Sequence, residues 1–435
     1  MEECDYISEL PDSLLSQILL SLRTKDSVKT SVLSKRWRNL WLNVPGLKLC
    51  THDFPYPYEE GFARFMGRFM EFNCGSHLQK FEIMYDECNG HRDRFMDLIG
   101  SVVDRGIQHL DVFMNNCKRD DFIRQNIYKS KTLVSLSLYN VELKNPEFVV
   151  SLPCLKIMHL CNDCYGEDGP LVVEKLISGC PVLEDLQLDR PFNILSQDVL
   201  LILRVSSQTL ETLRLYFGNR DFSVEIDAPR LKYMKLYKSR FDRIILKNLS
   251  SLFRIDLLSI HGLLKPEDSS KRDIIGDFLT GISTIRHMVI CPCTLEVLYC
   301  YSKLVSFPQF HNIYYLKASF LNSSLQLLPT FLESCPNLKT LILEYPVKQE
   351  NIDFHEVPQC LRSTLEYVKI KELIMTEKSG IKLVNYFLEN SAVLKTLTLS
   401  FTYYSMKKQD PESYKELLTS TKLSPTCQVI IEHSY

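Results

Sequence analysis

The stretch Leu183-Glu-Asp-Leu-Gln-Leu188 holds the pattern on which the fold depends: apolar, two variable residues, apolar, one variable residue, apolar. The same pattern returns in Leu133-Val-Ser-Leu-Ser-Leu138 and in Leu338-Lys-Thr-Leu-Ile-Leu343. Thirteen copies, 21 to 33 residues apart, begin at Leu78, Ile107, Leu133, Leu155, Leu183, Leu210, Leu231, Leu252, Ile285, Ile313, Leu338, Leu365 and Leu394. A period of this length is typical of irregular leucine-rich repeats, so we predict a repeat architecture.

Each copy predicts one short strand. Its fourth and sixth residues are two apart and therefore point to the same side, while the residues beside them point to the other side. One such strand cannot bury its apolar face alone, whereas stacked copies form a parallel sheet with a continuous core. Helices are predicted between strands at 170–177, 325–332 and 382–390. The expected fold class is α/β, a solenoid with a parallel sheet on one face and helices and loops on the other.

Composition and charge exclude several classes of protein. Of the 435 residues, 45% are hydrophobic, which excludes wholesale disorder. The 51 Lys and Arg against 53 Asp and Glu give a charge of −2, so no overall positive field draws the chain onto nucleic acid. No apolar run approaches the ~18–20 residues that span a membrane, and the acidic start lacks a secretory signal. We therefore expect no nucleic-acid partner, no membrane association, a cytoplasmic or nuclear location, and reduced thiols.

Residues 7–45 follow a different pattern, that of three short helices. The first helix carries its apolar residues at helical spacing, and these are Leu14, Leu15, Ile18, Leu19 and Leu22. Pro11 suits the first turn, because its missing N–H costs nothing there. We predict that Asp26 caps a second helix and that Ser34 caps a third, running from Lys35 to Trp41.

The third predicted helix contains both tryptophans of the chain, Trp37 and Trp41, four residues apart. Together with Leu40 they form one apolar stripe. Three short helices provide little core of their own, and two interpretations stay open. A partner-binding module leaves the tryptophans exposed as anchors, whereas a cap of the repeats buries them.

The segment from Leu10-Pro-Asp-Ser-Leu-Leu-Ser-Gln-Ile-Leu-Leu-Ser-Leu22 to Val32-Leu-Ser-Lys-Arg-Trp37 resembles an F-box. Proteins of the F-box family are substrate receptors of Skp–cullin–F-box ubiquitin ligases, in which the F-box docks on a Skp-type adaptor. The resemblance implies that this chain binds such an adaptor and, through it, a cullin. The residues implied to form or support the docking surface are Leu10, Pro11, Leu14, Ile18, Leu19, Leu22, Leu33, Trp37 and Trp41.

The C-terminal part carries a second resemblance. Val357-Pro-Gln-Cys-Leu361, Tyr386-Phe-Leu-Glu-Asn390 and Ser424-Pro-Thr-Cys427 resemble pieces of the FBD region of plant F-box/leucine-rich-repeat proteins. Where that family often has an aromatic-glycine element, this chain has Ile370-Lys-Glu-Leu-Ile-Met-Thr376. The predicted domains are an F-box at 1–47, a leucine-rich-repeat solenoid at 48–353 with a first helix at about 60–73, and an FBD region with the last repeats and a C-terminal cap at 354–435.

The sequence contains no motif typical of catalysis. It has no glycine-rich phosphate loop, no His-Glu-x-x-His zinc helix and no Gly-x-Ser-x-Gly nucleophile elbow. We therefore expect no enzymatic activity, no cofactor and no metal. The resemblance implies a scaffolding role, in which a receptor holds its target near a ubiquitin-conjugating enzyme. The alternative functions are a leucine-rich-repeat binding or inhibitor protein acting outside a ligase, and an enzyme with an unrecognised site on the repeats.

The residues beside the inward leucines point out of the opposite strand face. In the later repeats they are mainly basic or aromatic, and we name them the basic-aromatic stripe: Arg214, Tyr216, Tyr233, Lys235, Tyr237, Arg254, Tyr315, Lys317, Tyr367 and Lys369. We predict that the stripe binds an acidic or phosphorylated segment of a target protein. A structural explanation stays open beside it, because Tyr suits strands and Lys keeps an exposed sheet soluble.

Overall fold

A computed structural model gives the fold of the chain. It describes residues 7, 9–56, 58–72, 78–86, 92–115, 122–162, 165, 169–189, 202–216, 218–260, 269–321, 323–345, 354, 356–373, 378–401 and 421–433. The chain divides into two compact units. The N-terminal unit comprises Met1–Val199 and Ser206–Leu210, and the C-terminal unit comprises Leu200–Val205 and Glu211–Tyr435.

The N-terminal unit begins with four short helices. They are α1 (Asp12–Leu20), α2 (Thr24–Lys29) and two 3₁₀ helices at Thr30–Val32 and Trp37–Asn43. Two predictions for this segment are wrong. Asp26 lies inside α2 instead of capping it, and the last helix is a 3₁₀ helix from Trp37 instead of an α-helix capped by Ser34.

Tertiary contacts and a proline explain both corrections. The backbone N–H of Lys48 donates a hydrogen bond to Oγ1 of Thr24 at 2.9 Å, which ties the first turn of α2 to the following strand. Pro45 disfavours a helical conformation at the residue before it, and Val44 is extended, with ψ at 126°. The last helix is therefore confined to a short segment that 3₁₀ geometry can fill.

Six parallel strands form the sheet of the N-terminal unit. They are β1 (Gly46–Cys50), β2 (Lys80–Tyr85), β3 (His109–Met114), β4 (Ser135–Tyr139), β5 (Ile157–Cys161) and β6 (Asp185–Asp189), and each pairs with the next. The crossovers contain α3 (Tyr58–Phe72), α4 (Arg92–Asp104), α5 (Gly169–Ser178) and 3₁₀ helices at Thr51–Asp53 and Gln125–Lys129. Such crossovers are what parallel neighbours require.

Eleven more described strands follow β6 along the chain. They are β7 (Ile202–Ser206), β8 (Thr212–Tyr216), β9 (Gly218–Asp227), β10 (Tyr233–Lys247), β11 (Arg254–Ile260), β12 (His287–Ile290), β13 (Tyr315–Ser319), β14 (Thr340–Glu344), β15 (Tyr367–Leu373), β16 (Thr396–Phe401) and β17 (Gln428–His433). Strand β10 pairs in parallel with β8, β9 and β11, and each strand from β11 to β17 pairs with its successor. Their helices are α6 (Ser269–Gly281), α7 (Pro292–Ser302), a 3₁₀ helix at Leu325–Leu327, α8 (Leu328–Glu333), α9 (Gln359–Ser363) and α10 (Lys378–Asn390).

All thirteen predicted strands are confirmed. Each begins two residues after the first apolar residue of its copy, as β6 begins two residues after Leu183. The fourth and sixth residues point inward, and Leu186 and Leu188 in β6 are fully buried. The helices predicted at 170–177, 325–332, 382–390 and about 60–73 are also confirmed. The thirteen predicted copies did not include β1, β7, β9 or β17, although 44–49 and 200–205 also fit the pattern.

Hydroxyl side chains link successive repeats inside the sheets. Thr132 Oγ1 donates to the carbonyl of Ile107 at 2.9 Å, and Thr209 Oγ1 donates to the carbonyl of Leu183 at 2.8 Å. Thr364 makes the same contact with Leu338 at 2.9 Å. In each case a threonine just before one copy satisfies the carbonyl that begins the previous copy, because a buried carbonyl left unpaired is costly.

No helix in the described part of the chain is both long enough and apolar enough to cross a membrane.

Candidate adaptor-binding and target-binding surfaces

The N-terminal helices enclose a small apolar core. Leu15 and Leu19 of α1 are buried there, and they pack with Trp37, Leu40 and Val44. Leucines four apart on one helix lie on the same face, so this face of α1 is committed to the internal core.

The two tryptophans differ in burial. Trp37 is only 7% exposed. Trp41 is half-buried; it packs against the same core, and its ring stacks on Phe65 of α3 with 6.5 Å between the ring centroids. The expectation that a partner-binding module exposes both tryptophans is therefore wrong for Trp37, and Trp41 is exposed only in part.

A second apolar face of α1 points to solvent instead. Leu14 and Ile18 of α1, and Leu22 just after its end, follow each other at intervals of four and are 44%, 45% and 37% exposed. The next two helices expose more aliphatic side chains, and Val32 is the most exposed of them at 87%. We name the whole set the apolar ridge: Leu14, Ile18, Leu22, Val28, Val32 and Leu33.

The predicted docking residues fall into three groups by burial. Exposed residues are Pro11, Leu14, Ile18, Leu22 and Leu33. Leu10 and Trp41 are half-buried, and Leu19 and Trp37 are buried. The exposed group is placed for direct contact with a partner, and the other four support it from below. Val28 and Val32 were not predicted as docking residues, although their spacing of four residues is visible in the sequence.

Polar contacts hold the helices that carry the apolar ridge. Arg36 Nε donates to Oδ1 of Asp12 at 2.8 Å, and the same guanidinium reaches the carbonyl of Leu10. Ser27 Oγ donates to the carbonyl of Leu19 at 3.0 Å. These bonds tie α1 to the segments after it, so the ridge is presented by helices fixed in one arrangement.

The basic-aromatic stripe lies on the outward side of β8, β10, β11, β13 and β15, as predicted from alternation. The register places Arg214 beside Lys235 and Tyr233 beside Arg254. The rings of Tyr216 and Tyr237 are 5.2 Å apart, and Lys235 lies 5.7 Å from the ring centre of Tyr237.

Asp256 occupies the middle of this face and neutralises part of the stripe. It is 6% exposed, and it accepts hydrogen bonds from Nε and Nη2 of Arg254 at 2.8 and 3.0 Å. The hydroxyl of Tyr233 also donates to it at 2.8 Å. Burial and this hydrogen bond raise the pKa of Tyr233 to about 12.

Two further carboxylates pair with lysines of the stripe. Lys317 Nζ lies 2.7 Å from Glu344, and Lys369 pairs with Glu432 of β17. The stripe is therefore less positive than its basic residues alone predict. Binding of an acidic segment stays a prediction.

His287 is a residue of this face that sequence reasoning missed. Its ring stacks on Tyr315 at 5.0 Å, and its Nε2 is 2.6 Å from the hydroxyl of Tyr314. Burial and the nearby Arg254 lower the pKa of His287. His287 stands at the same strand position as Tyr233 and Tyr315 in other repeats. Comparing the outward positions of all repeats, which found those tyrosines, therefore also identifies His287.

Among the residues that the structure describes, no group of three or more His, Cys, Asp or Glu side chains is arranged to hold a metal ion.

Comparison with known proteins adds the family. The model of the F-box domain matches residues 7–49, the model of the LRR repeats of an FBD-associated F-box protein matches residues 95–269, and the FBD model matches residues 353–399. Three Arabidopsis thaliana relatives carry names of this kind. The protein At5g44960, named as an F-box/FBD/LRR-repeat protein, is 71% identical over 437 residues, covering 99% of this chain and 100% of the relative.

Two more relatives bear similar names. The F-box/FBD/LRR-repeat protein At5g44980 is 66% identical, covering 98% of this chain and 99% of the relative. The F-box/FBD/LRR-repeat protein At2g26030 is 53% identical, covering 99% of this chain and 100% of the relative. High identity over nearly the full length, three family matches and the parallel repeat sheets agree. The chain therefore belongs to the family of F-box/FBD/leucine-rich-repeat proteins.

Proposed function

We propose that this chain is the substrate-recognition subunit of a Skp–cullin–F-box ubiquitin ligase. Its F-box docks on a Skp-type adaptor, which links it to a cullin, and its outward strand faces bind a target protein. In this role the chain makes and breaks no bond itself, because it acts by holding the target near the conjugating enzyme. The expected places of action are the cytoplasm and the nucleus.

The observation that carries the proposal is the apolar ridge within the F-box match. Helix α1 is apolar on two sides: Leu15 and Leu19 fill the core of the chain, while Leu14 and Ile18 stay more than two-fifths exposed. A helix that serves only as a cap needs one apolar face. Clustered exposed aliphatic side chains mark a surface that another protein covers.

Co-purification of the full chain with a plant Skp-type adaptor tests the proposal. We expect Ile18→Asp and Val32→Asp each to weaken the complex about tenfold or more, because a carboxylate buried in an apolar interface loses its hydration. Val149→Asp is the matched control. Val149 is a valine with the same 87% exposure as Val32, but it lies outside the F-box match, so this variant should bind like the native chain.

Two results would overturn the proposal. One is a native chain that binds none of the Skp-type adaptors tested. The other is equal loss of binding in Val149→Asp and Val32→Asp, since that would assign the interaction to non-specific apolar contact. Either result would favour the alternative of a repeat-based binding or inhibitor protein acting outside a ligase.

A further inference from the structure

The outward strand face of the N-terminal unit contains a pocket that the sequence did not predict. Its volume is about 340 Å³, and its floor is made by neighbouring residues of β1 to β4. One row of the floor is polar and consists of Lys48, Glu82 and Asp111. The adjacent row includes Met84, Phe113 and Tyr139.

The carboxylates of the polar row differ in their partners. Glu82 is paired twice, with Lys48 at 2.8 Å and with Lys80. Asp111, its neighbour in register, receives no hydrogen bond and no ion pair from the residues that the structure describes. Burial and the negative charge of Glu82 raise the pKa of Asp111. Lys48 and Lys80 favour the charge of Asp111 from a distance, but both pair directly with Glu82. A cation placed beside Asp111 would therefore give this half-buried carboxylate a direct partner.

The adjacent row offers flat apolar surface next to that carboxylate. The rings of Phe113 and Tyr139 are 5.6 Å apart and inclined by 38°, and Met84, in register with Phe113, is 46% exposed. Asp111 and Phe113 point to the same side, because they are two residues apart on β3. Carboxylate and aromatic surface thus meet in one pocket.

Strands β3 to β6 add two histidines to this face, of which His159 favours the charge of Asp111, but no lysine or arginine. The outward positions of β3 to β6 contain no lysine or arginine, and they are His109, Asp111, Phe113, Ser135, Ser137, Tyr139, Ile157, His159, Cys161, Asp185, Gln187 and Asp189. Lys48 and Lys80 share the single carboxylate of Glu82, and Arg23 at the start of α2 is exposed, so water and salt screen its charge.

We infer that this pocket takes an arginine side chain of the target protein, with the guanidinium on Asp111 and its plane against Phe113 and Tyr139. Arginine fits better than lysine, because its planar fork binds a carboxylate through two hydrogen bonds and stacks on aromatic rings. The exposed Arg23 can donate to main-chain carbonyls of the same segment. This inference rests on the proposed function, since it names the chemistry of the target that the receptor holds.

Ligand-detected NMR on the full chain in complex with a Skp-type adaptor tests the pocket. The probe is N-acetyl-arginine methylamide, in which both ends are blocked so that the side chain carries the only charge. N-acetyl-citrulline methylamide has the same shape without the charge, and N-acetyl-lysine methylamide has the charge without the planar fork. We expect arginine to bind about tenfold more tightly than citrulline, with lysine between them.

Matched variants locate the effect. Asp111→Asn should abolish the preference for arginine over citrulline, and Phe113→Ala should weaken all three probes about threefold or more. Asp185→Asn is the control, because Asp185 lies on the same face three strands away in the row of His109, a separation of roughly 14 Å across the strands alone. It should bind the probes like the native chain.

The outcomes separate this inference from the proposed function. Equal binding of arginine and citrulline, or a preference that survives Asp111→Asn, would reject the arginine pocket. Equal losses in Asp111→Asn and Asp185→Asn would also reject it, because the general negative charge of the face would then be responsible. Adaptor binding is measured on the same samples, so retained adaptor binding with a failed probe rejects the pocket and leaves the receptor role intact.

Discussion

Asp111 in the N-terminal unit and Asp256 in the C-terminal unit occupy the same position of the repeat. Both follow an inward apolar residue and point to the outward strand face. Asp256 is almost buried and accepts hydrogen bonds from Arg254 and Tyr233. Asp111 is half-buried in an open pocket and has no such bond among the described residues. One repeat position therefore serves internal stability in one unit and stays available for a ligand in the other.

The difference comes from the residues around each carboxylate. Arg254 lies two positions before Asp256 on the same strand and reaches it directly, whereas the equivalent residue before Asp111 is His109. Lys80, which is in register with His109, pairs with Glu82 on its own strand. Whether an outward charge of a repeat sheet can bind a ligand is therefore known only once its neighbours on adjacent strands are known.

The largest expected effect concerns the buried leucine layer, which both units contain. Leu136 and Leu341 are inward residues of β4 and β14 and are at most 1% exposed. Replacing either by alanine should lower the free energy of unfolding by about 2–5 kcal/mol, because each leaves a cavity in the same kind of leucine layer. Urea denaturation followed by circular dichroism measures this free energy.

Ser137→Ala, on the outward side of β4, is the control for the two leucine variants. A cost for one leucine variant several times that for the other would show that the units differ in their cores as well as their faces.

A smaller effect on stability is expected from replacing the two outward aspartates, Asp256 and Asp111. Asp256→Ala should cost about 1–3 kcal/mol, because Arg254 and Tyr233 lose a nearly buried partner. Asp111→Ala removes no such bond and relieves repulsion from Glu82, so its change should stay within about 0.5 kcal/mol. The same urea titration compares the two variants. A loss for Asp111→Ala as large as that for Asp256→Ala would contradict the assignment of Asp111 as a ligand-binding residue.

The smallest expected effect is a difference in the sign of pH dependence. The pKa of Asp111 is raised above its ordinary value of 3.8 by burial and by Glu82. The folded state therefore holds this proton more tightly, and native stability relative to Asp111→Asn should fall as the pH rises through the window between 3.8 and the raised pKa.

Glu344 should behave in the opposite way. Burial by itself would raise the pKa of Glu344, but hydrogen bonds from Lys317 and Ser319 outweigh it and lower the pKa below 4.5. Its contribution is complete above 4.5 and is lost as the pH falls through the lowered value. Urea midpoints of the native chain, Asp111→Asn and Glu344→Gln from about pH 3 to pH 7 measure both trends. Trends of the same sign would overturn the comparison.

The strands were predictable where the repeat pattern is regular. Each of the thirteen strands contains the fourth and sixth residues of its copy, because alternation of inward and outward residues is a property of a single strand. Strand β17 lacks a full copy of the pattern, because Thr426 stands at the first apolar position, and it joins its sheet by pairing with β16. Such pairing depends on neighbours and is not encoded in the local sequence.

The candidate sites were predictable in part. Resemblance and helical spacing found Leu14, Ile18 and Leu22, but they did not separate these residues from Leu19 and Trp37, which are buried. A helix with apolar residues all round leaves open which side meets the core, and packing against the 3₁₀ helix decides it.

The sequence by itself determined the phase of the strands, the set of inward leucines and the family, because these follow from local geometry and from motifs read in order. Only the tertiary structure decided which outward charges are compensated. The partner of Lys317 is Glu344, 27 positions further along the chain, and the partner of Lys369 is Glu432. In the same way, whether Asp111 forms an ion pair within the chain depends on which side chains the neighbouring strands place within bonding distance of it.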